Sequence, residues 1–257
     1  MVSQVESPII SVSNVTFSYA DGTKALDNVS LELQASELFV IFGPARSGKT
    51  TLLRLLNRLS DLIENTKMEG SVLFNGQNIY SRGTVVTDLR RRISMVFATP
   101  SPLPGTIYDN MSYGLKMAGI KDSRLIERRI ERGLKQAALW DEVKDRLNTS
   151  AFALSGGQKQ RLCLARCLAL EPEVILLDNP TSGLDPISTA TVERSLEELK
   201  QSYAIVMVPH SVQQAARIAD RAAFMLDGKV IEVGKGGELF INPQDRRTED
   251  YVTGRFG

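Results

Sequence analysis

The ten residues 42–51, Phe-Gly-Pro-Ala-Arg-Ser-Gly-Lys-Thr-Thr, constrain this chain more than any other stretch. Gly43, Pro44, Ala45, Arg46, Ser47, Gly48, Lys49 and Thr50 satisfy G-x-x-x-x-G-K-[ST], a loop that wraps phosphate, and Thr51 follows directly. The apolar run Phe39-Val40-Ile41-Phe42 predicts a short buried strand before the loop, and Thr51-Leu52-Leu53-Arg54-Leu55-Leu56 predicts a helix after it. That order supplies what phosphate needs. Glycines let the backbone curl until its N–H groups converge, and the new helix directs its positive end at the same point. In this setting Lys49 reaches the β- and γ-phosphates of a nucleotide and the Thr50 hydroxyl binds Mg²⁺.

Composition narrows the partners. The 257 residues are enough for a large core, in one domain or one domain with an insertion. With 31 basic and 30 acidic residues, charge does not ask for nucleic acid. No apolar run approaches the roughly eighteen residues of a transmembrane helix. Residues 1–8 are polar and lack a signal-peptide core, so the expected location is the cytoplasm. Cys163 and Cys167 lie one helical turn apart and read as small buried side chains rather than as a disulfide or metal pair. A single histidine leaves few further metal ligands.

Residues 9–19 and 29–33 alternate as strands, so the chain opens β-rich and runs into the loop. Residues 71–74 and 77–80 flank Asn75-Gly76, a hairpin signal. Residues 88–92 start a short helix, and 93–97 are a strand. Then the texture changes. Pro100, Pro102 and Pro104 exclude regular structure and place a hinge there. Helices are expected over 108–117 and 124–139, where Ile126, Ile130, Leu134 and Ala138 share one face, and no strand signal appears from about residue 100 to 172. Strands return at 174–178, 204–208, 222–226 and 229–233, with helices at 187–201 and 212–218. The tail, 243–257, reads as polar and mostly irregular.

Two further stretches carry chemistry. Val174-Ile175-Leu176-Leu177-Asp178 delivers a carboxylate at the end of a buried strand, where α/β folds bind ligands, and Asp178 can hold Mg²⁺ through a water opposite Thr50. Leu154-Ser155-Gly156-Gly157-Gln158 opens a helix. Its serine hydroxyl and free N–H groups make an anion site, and Ser155 with Gln158 three residues on also makes an ordinary capping box.

The ordered set of P-loop, Leu-Ser-Gly-Gly-Gln, the Asp178 strand, Ser182-Gly183-Leu184-Asp185 and His210 resembles an ATP-binding-cassette (ABC) ATPase over essentially the whole chain. The resemblance implies an α/β P-loop NTPase core, a RecA-like mixed sheet with an N-terminal antiparallel β part, plus an inserted α-helical subdomain. The core would take up about 1–97 and 172–242, the insertion about 98–171 and the C-terminal tail 243–257. It implies that two subunits, identical or different, pair head to tail. ATP, with Mg²⁺, would then lie between the P-loop of one and Ser155–Gln158 of the other. By the same likeness Tyr19 stacks on adenine, Ser182–Asp185 is the dimer-contact loop, and His210 touches the γ-phosphate. Arg90-Arg91-Arg92-Ile93, Ile107-Tyr108-Asp109-Asn110, Gln213-Gln214-Ala215-Ala216-Arg217 and the ending through Gly254-Arg255-Phe256-Gly257 are similar to the phosphate-importer branch. That branch works at the cytoplasmic face of the membrane with two transmembrane permease subunits and, indirectly, an extracytoplasmic phosphate-binding protein.

Two positions depart from the family pattern. Asn179 stands where the general-base glutamate is expected, and Ala98 where a glutamine should meet Mg²⁺ and water. An amide cannot accept a proton, and loss of a general base costs about 10²–10⁴-fold in rate. The expectation is a chain that binds ATP and dimerises around it but turns over slowly in its own site. The alternative is a degenerate, ATP-gated module that completes the site of an intact partner.

Overall fold

Three five-residue strands are buried at every position: Leu38–Phe42, Val174–Asp178 and Ala204–Val208. Runs that are buried at every position and apolar but for a closing Asp178 belong inside a sheet covered on both faces, and that is where they lie. A computed structural model describes residues 7–255. Residues 1–6, which hold most of the polar N-terminal stretch, and Phe256 and Gly257 of the distinctive ending lie outside the described residues.

In chain order the elements are β1 (Ile10–Ser18), β2 (Lys24–Leu33), β3 (Leu38–Phe42), α1 (Lys49–Leu56), β4 (Lys67–Phe74), β5 (Gln77–Asn78), α2 (Val86–Arg92) and β6 (Ile93–Val96). Next come α3 (Ile107–Met117), α4 (Ser123–Gln136), α5 (Trp140–Val143) and α6 (Gly156–Leu168). The chain closes with β7 (Val174–Asp178), α7 (Pro186–Leu199), β8 (Ala204–Val208), α8 (Val212–Ile218), β9 (Arg221–Leu226), β10 (Lys229–Lys235), α9 (Gly236–Ile241) and α10 (Arg246–Val252).

One sheet is antiparallel, in the order β2-β1-β4-β5; the other is mixed, in the order β10-β9-β3-β8-β7-β6. In the mixed sheet β6, β7, β8, β3 and β9 run parallel, and β10 closes the edge antiparallel to β9. This is the α/β architecture with an antiparallel N-terminal part that the motifs imply.

Alternation along the central strands decides what covers each face. Phe39, Ile41, Leu176 and Val206 join the cluster built with Leu52, Leu53 and the antiparallel sheet. Val40, Phe42, Leu177 and Met207 join the cluster built with α3, α4 and α6. Residues 100–172 contain no strand, apart from one isolated bridge between Thr106 and Ser150.

The proline stretch is tied down rather than loose. Asn110 is fully buried; its amide oxygen accepts from Leu103 N at 2.7 Å, and its nitrogen donates to Leu103 O and Thr106 O. Arg166 adds a bond to Ser101 O at 3.2 Å. The stretch is therefore pinned to the helical layer.

The expected irregular tail is a correction. α10 forms there because Asp245 caps it and the Glu232 carboxylate accepts from the backbone N–H groups of Gln244 and Asp245 at 2.8 and 3.1 Å. Tyr251 then packs against Phe224 and Phe42, with centroids 5.1 and 6.2 Å away, and Phe42 is the residue just before the P-loop. A polar sequence hid the aromatic contacts and the Glu232 bonds that order it.

Candidate nucleotide site

Because β3, β6, β7 and β8 are parallel neighbours, the segments that follow them emerge along one edge of the sheet. The P-loop follows β3, Ala98 comes two residues after β6, Asn179 directly after β7, and His210 two residues after β8. Carboxyl ends of parallel strands are where such sheets bind ligands.

The P-loop turns tightly over the start of α1. Gly43 has φ 145° and a Cβ there would lie 2.0 Å from Met225 O; Gly48 has φ 95° and its Cβ would lie 2.4 Å from Ala25 O. Neither position can take a side chain. Gly48 is also the N-cap of α1 and lends it no side-chain bond, so the first N–H groups of that helix are left for another acceptor. Lys49 Nζ donates to Gly43 O at 2.9 Å, Pro44 O at 2.5 Å and Ser47 Oγ at 3.2 Å, and so lies across the loop it belongs to.

Thr50 Oγ1 donates to Asp178 Oδ1 at 3.1 Å, joining residues 128 positions apart. Burial pushes the Asp178 carboxyl up, against the pull of the Thr50 bond, Arg54 and Lys49. Burial likewise lowers Lys49, against the pull of Asp178. Each group is short of counter-charge. A hydroxyl and a carboxylate at this spacing suit a hard cation with oxygen ligands, and Lys49 with free N–H groups beside it suits an anion. These residues fit Mg²⁺ and a polyphosphate. Tyr19 is half-buried beside them; its hydroxyl lies 2.8 Å from Thr51 Oγ1 and its ring meets Phe17 edge-on at 5.4 Å.

Asn179 has φ 48°, a left-handed conformation that asparagine tolerates better than most residues. Its N–H donates to Val208 O at 2.9 Å and its carbonyl accepts from Ser182 N at 3.1 Å. Its side-chain amide has no protein partner among the described residues. The His210 ring is exposed and has none either.

Ser155–Gln158 lies elsewhere. Ser155 caps α6 in a full capping box with Gln158, whose Nε2 also reaches Glu142 at 2.8 Å. Leu154 is buried, and Ser155 and Gly156 are exposed. Among the described residues no hydrogen bond joins this turn to the P-loop. Asp185 caps α7, accepting from Ile187 N and Ser188 N at 3.0 Å each and from Ser188 Oγ at 2.6 Å. The Ser188 bonds hold its carboxyl below the usual range. Ser182 and Gly183 are exposed.

Gly157 meets α7 directly: a Cβ there would lie 2.4 Å from Ser188 Oγ and 2.8 Å from Ser188 Cβ. Gly157→Ala is expected to destabilise the fold by about 1–3 kcal/mol through this overlap. Ser188→Gly should restore most of the loss in thermal unfolding; an unchanged melting temperature for Gly157→Ala would refute the contact.

Three supports escaped the sequence reading. Arg54, in the last turn of α1, pulls on Asp178. Glu142 binds both Gln158 and the buried Arg161. Gln214 gathers three segments; the sequence marks it only as part of the Gln213–Arg217 stretch, with no sign of what it binds.

Comparisons with known proteins show the family. The ABC transporter family matches residues 26–182. The chain is 49% identical, over all of both chains, to the phosphate import ATP-binding protein PstB of Borrelia garinii subsp. bavariensis. It is 49% identical to that of Bacteroides fragilis over 96% of this chain and 98% of the relative. Among solved structures, cbiO1 from Clostridium perfringens, part of the ABC transporter complex cbiONQ, is similar with a TM-score of 0.81 at 28% identity, covering 97% of each chain. The dimeric bacterial ABC transporter cassette MJ0796 is similar with a TM-score of 0.76 at 30% identity, covering 88% of this chain and 98% of the other.

Proposed function

The chain belongs to the ABC transporter family as an ATP-binding ATPase subunit, and on that premise we propose that it energises the import of inorganic phosphate. In this reading it forms a single cassette, with a core of about 1–97 and 172–242, a helical insertion of about 98–171 and a tail. The observation that carries the nucleotide site is the Thr50–Asp178 contact at 3.1 Å beside Lys49. The phosphate assignment rests on the full-length likeness to PstB proteins.

Each residue then has a task. The P-loop amides and Lys49 hold the phosphates, and Tyr19 faces the base. Thr50 and Asp178 would hold Mg²⁺, which supplies charge neutralisation at the phosphate oxygens. His210 meets the terminal phosphate. Ser155–Gln158 of a second cassette closes the site, since among the described residues no hydrogen bond joins this turn to the P-loop of its own chain. Asn179 can orient water but accepts no proton, so turnover is slow. The full-length match disfavours a degenerate ATP-gated module that only completes the site of an intact partner, and Asn179 and Ala98 are departures within an importer subunit.

The membrane partners have a suitable surface. A groove of about 390 Å³ runs between β6, α3 and α6, lined by Met95, Phe97, Leu103, Tyr113, Cys163 and Leu170 among others. Phe97 and Tyr113 expose 43% and 54% of their area, which is apolar surface suited to a helix from a permease subunit. No helix among the described residues is long and apolar enough to cross a membrane. Tyr113→Asp is expected to abolish co-purification with the permease pair while ATP affinity stays within about twofold of wild type.

The decisive experiment reconstitutes the cassette with its two permease subunits and a phosphate-binding protein in vesicles. ATP-dependent entry of labelled phosphate is expected. Entry of a different anion, or none with an assembled complex, would overturn the assignment.

A further inference from the structure

We propose that Gln214 is a positioning residue that sets the His210 loop against the strand end carrying Asn179. The inference rests on His210 acting at the terminal phosphate, as proposed above. Gln214 opens the second half of the first turn of α8 and is 3% exposed. Its Oε1 accepts from His210 N at 2.9 Å. Its Nε2 donates to Glu193 Oε1 at 2.8 Å and to Thr181 Oγ1 at 2.9 Å, and the Thr181 hydroxyl also lies 3.2 Å from Oε1.

The orientation of this amide is set by its neighbours. A backbone N–H can face only the oxygen, and a carboxylate can face only the nitrogen. Both amide hydrogens and the amide oxygen are therefore engaged in a buried site, where each loss is costly. No other side chain of this length accepts at one atom and donates twice at the next. Glu193 receives Arg217 as well, at 2.8 Å, which holds its carboxylate in place.

The three partners come from separate segments. Thr181 lies two residues past Asn179 and just before Ser182–Asp185. Glu193 sits on α7. His210 follows β8. Sheet pairing fixes the strands themselves, with Asp178 beside Val208. Beyond the strand ends the described backbone contact between the two loops is Asn179 N to Val208 O. Gln214 supplies the next link outward. It holds the backbone of His210, whose ring has no protein partner of its own among the described residues, so the ring's location follows from where that backbone is held. This gives a task to the Gln213–Arg217 stretch that the nucleotide contacts leave without one.

His210 is the only histidine, so a ring-labelled histidine signal reports on it alone. In wild type, saturating non-hydrolysable MgAMP-PNP is expected to shift that signal, and the His210 amide should exchange slowly with solvent. In Gln214→Met the amide should exchange roughly tenfold faster. The ring response should fall at least by half, and MgAMP-PNP affinity should change by less than about threefold because Lys49 and the P-loop are untouched. Gln214→Glu alone should behave likewise, since it sets a carboxylate against Glu193. Adding Glu193→Gln restores a donor to that pair and should return both signals. A merely space-filling glutamine would be replaced by methionine without change in either signal, and that result would overturn the inference, as would failure of the exchanged pair to restore them. If the wild-type ring signal does not move with bound MgAMP-PNP, His210 is not at the phosphate and the inference falls with that reading. If it moves equally in wild type and Gln214→Met, Gln214 alone is refuted.

Discussion

Lys49→Ala will remove most of the affinity for MgATP, by about 30- to 1000-fold. The figure follows from losing a charged donor to phosphate, at about 2–4 kcal/mol for charge-assisted bonds in a partly desolvated site. The ammonium is half-buried, and its hydrogen bonds among the described residues go to loop acceptors: Gly43 O, Pro44 O and Ser47 Oγ. It contributes little to the core, so the variant should unfold within a few degrees of wild type. Lys49→Arg should not rescue binding, because a planar guanidinium cannot follow a curl this tight. Equilibrium titration by calorimetry measures both variants. An Lys49→Ala affinity within threefold of wild type would mean that the phosphates are held elsewhere, and the reading of the P-loop would fail.

Asn179→Glu will raise steady-state phosphate release by about 10²–10⁴-fold, the range a positioned general base contributes. The backbone at this position is held from both sides, by Asn179 N to Val208 O and by Ser182 N to the Asn179 carbonyl, so the new carboxylate starts from the same place. Its cost is conformational: φ is 48°, where glutamate is strained by roughly 1–2 kcal/mol relative to ordinary backbone. A small fall in melting temperature should therefore accompany the gain in rate. Asn179→Asp, one methylene shorter, should recover less. If the wild-type chain already releases several phosphates per second, or if Asn179→Glu is no faster, the missing base is not what limits this site.

The strands were legible where composition left one answer. The strands Val174–Asp178 and Ala204–Val208 and the helix Val212–Ile218 carry strong local patterns, and the structure has them at the expected bounds. β2 begins at Lys24, five residues earlier than its alternation suggests, because Lys24 to Val29 are recruited by pairing with β1 across register shifts. α10 was missed because six of its seven residues are polar or charged, counting its tyrosine, and its order comes from what Tyr251, Asp245 and Glu232 meet in the fold. Pairing and packing between distant segments have no local signature.

The same division runs through the site. Local chemistry was enough to nominate a phosphate loop at Gly43–Thr50 and to place a carboxylate at the Asp178 strand end and a capped turn at Ser155, since glycine geometry, strand ends and helix caps depend on neighbours a few residues away. Only the tertiary structure decided that Thr50 and Asp178 touch, that α10 lies against Phe42, and that Gln214 ties Thr181 to His210. Those contacts depend on which strands lie side by side in the parallel sheet. Strand order is set by how two faces of buried side chains are covered at once, a property of the whole chain that no single stretch contains.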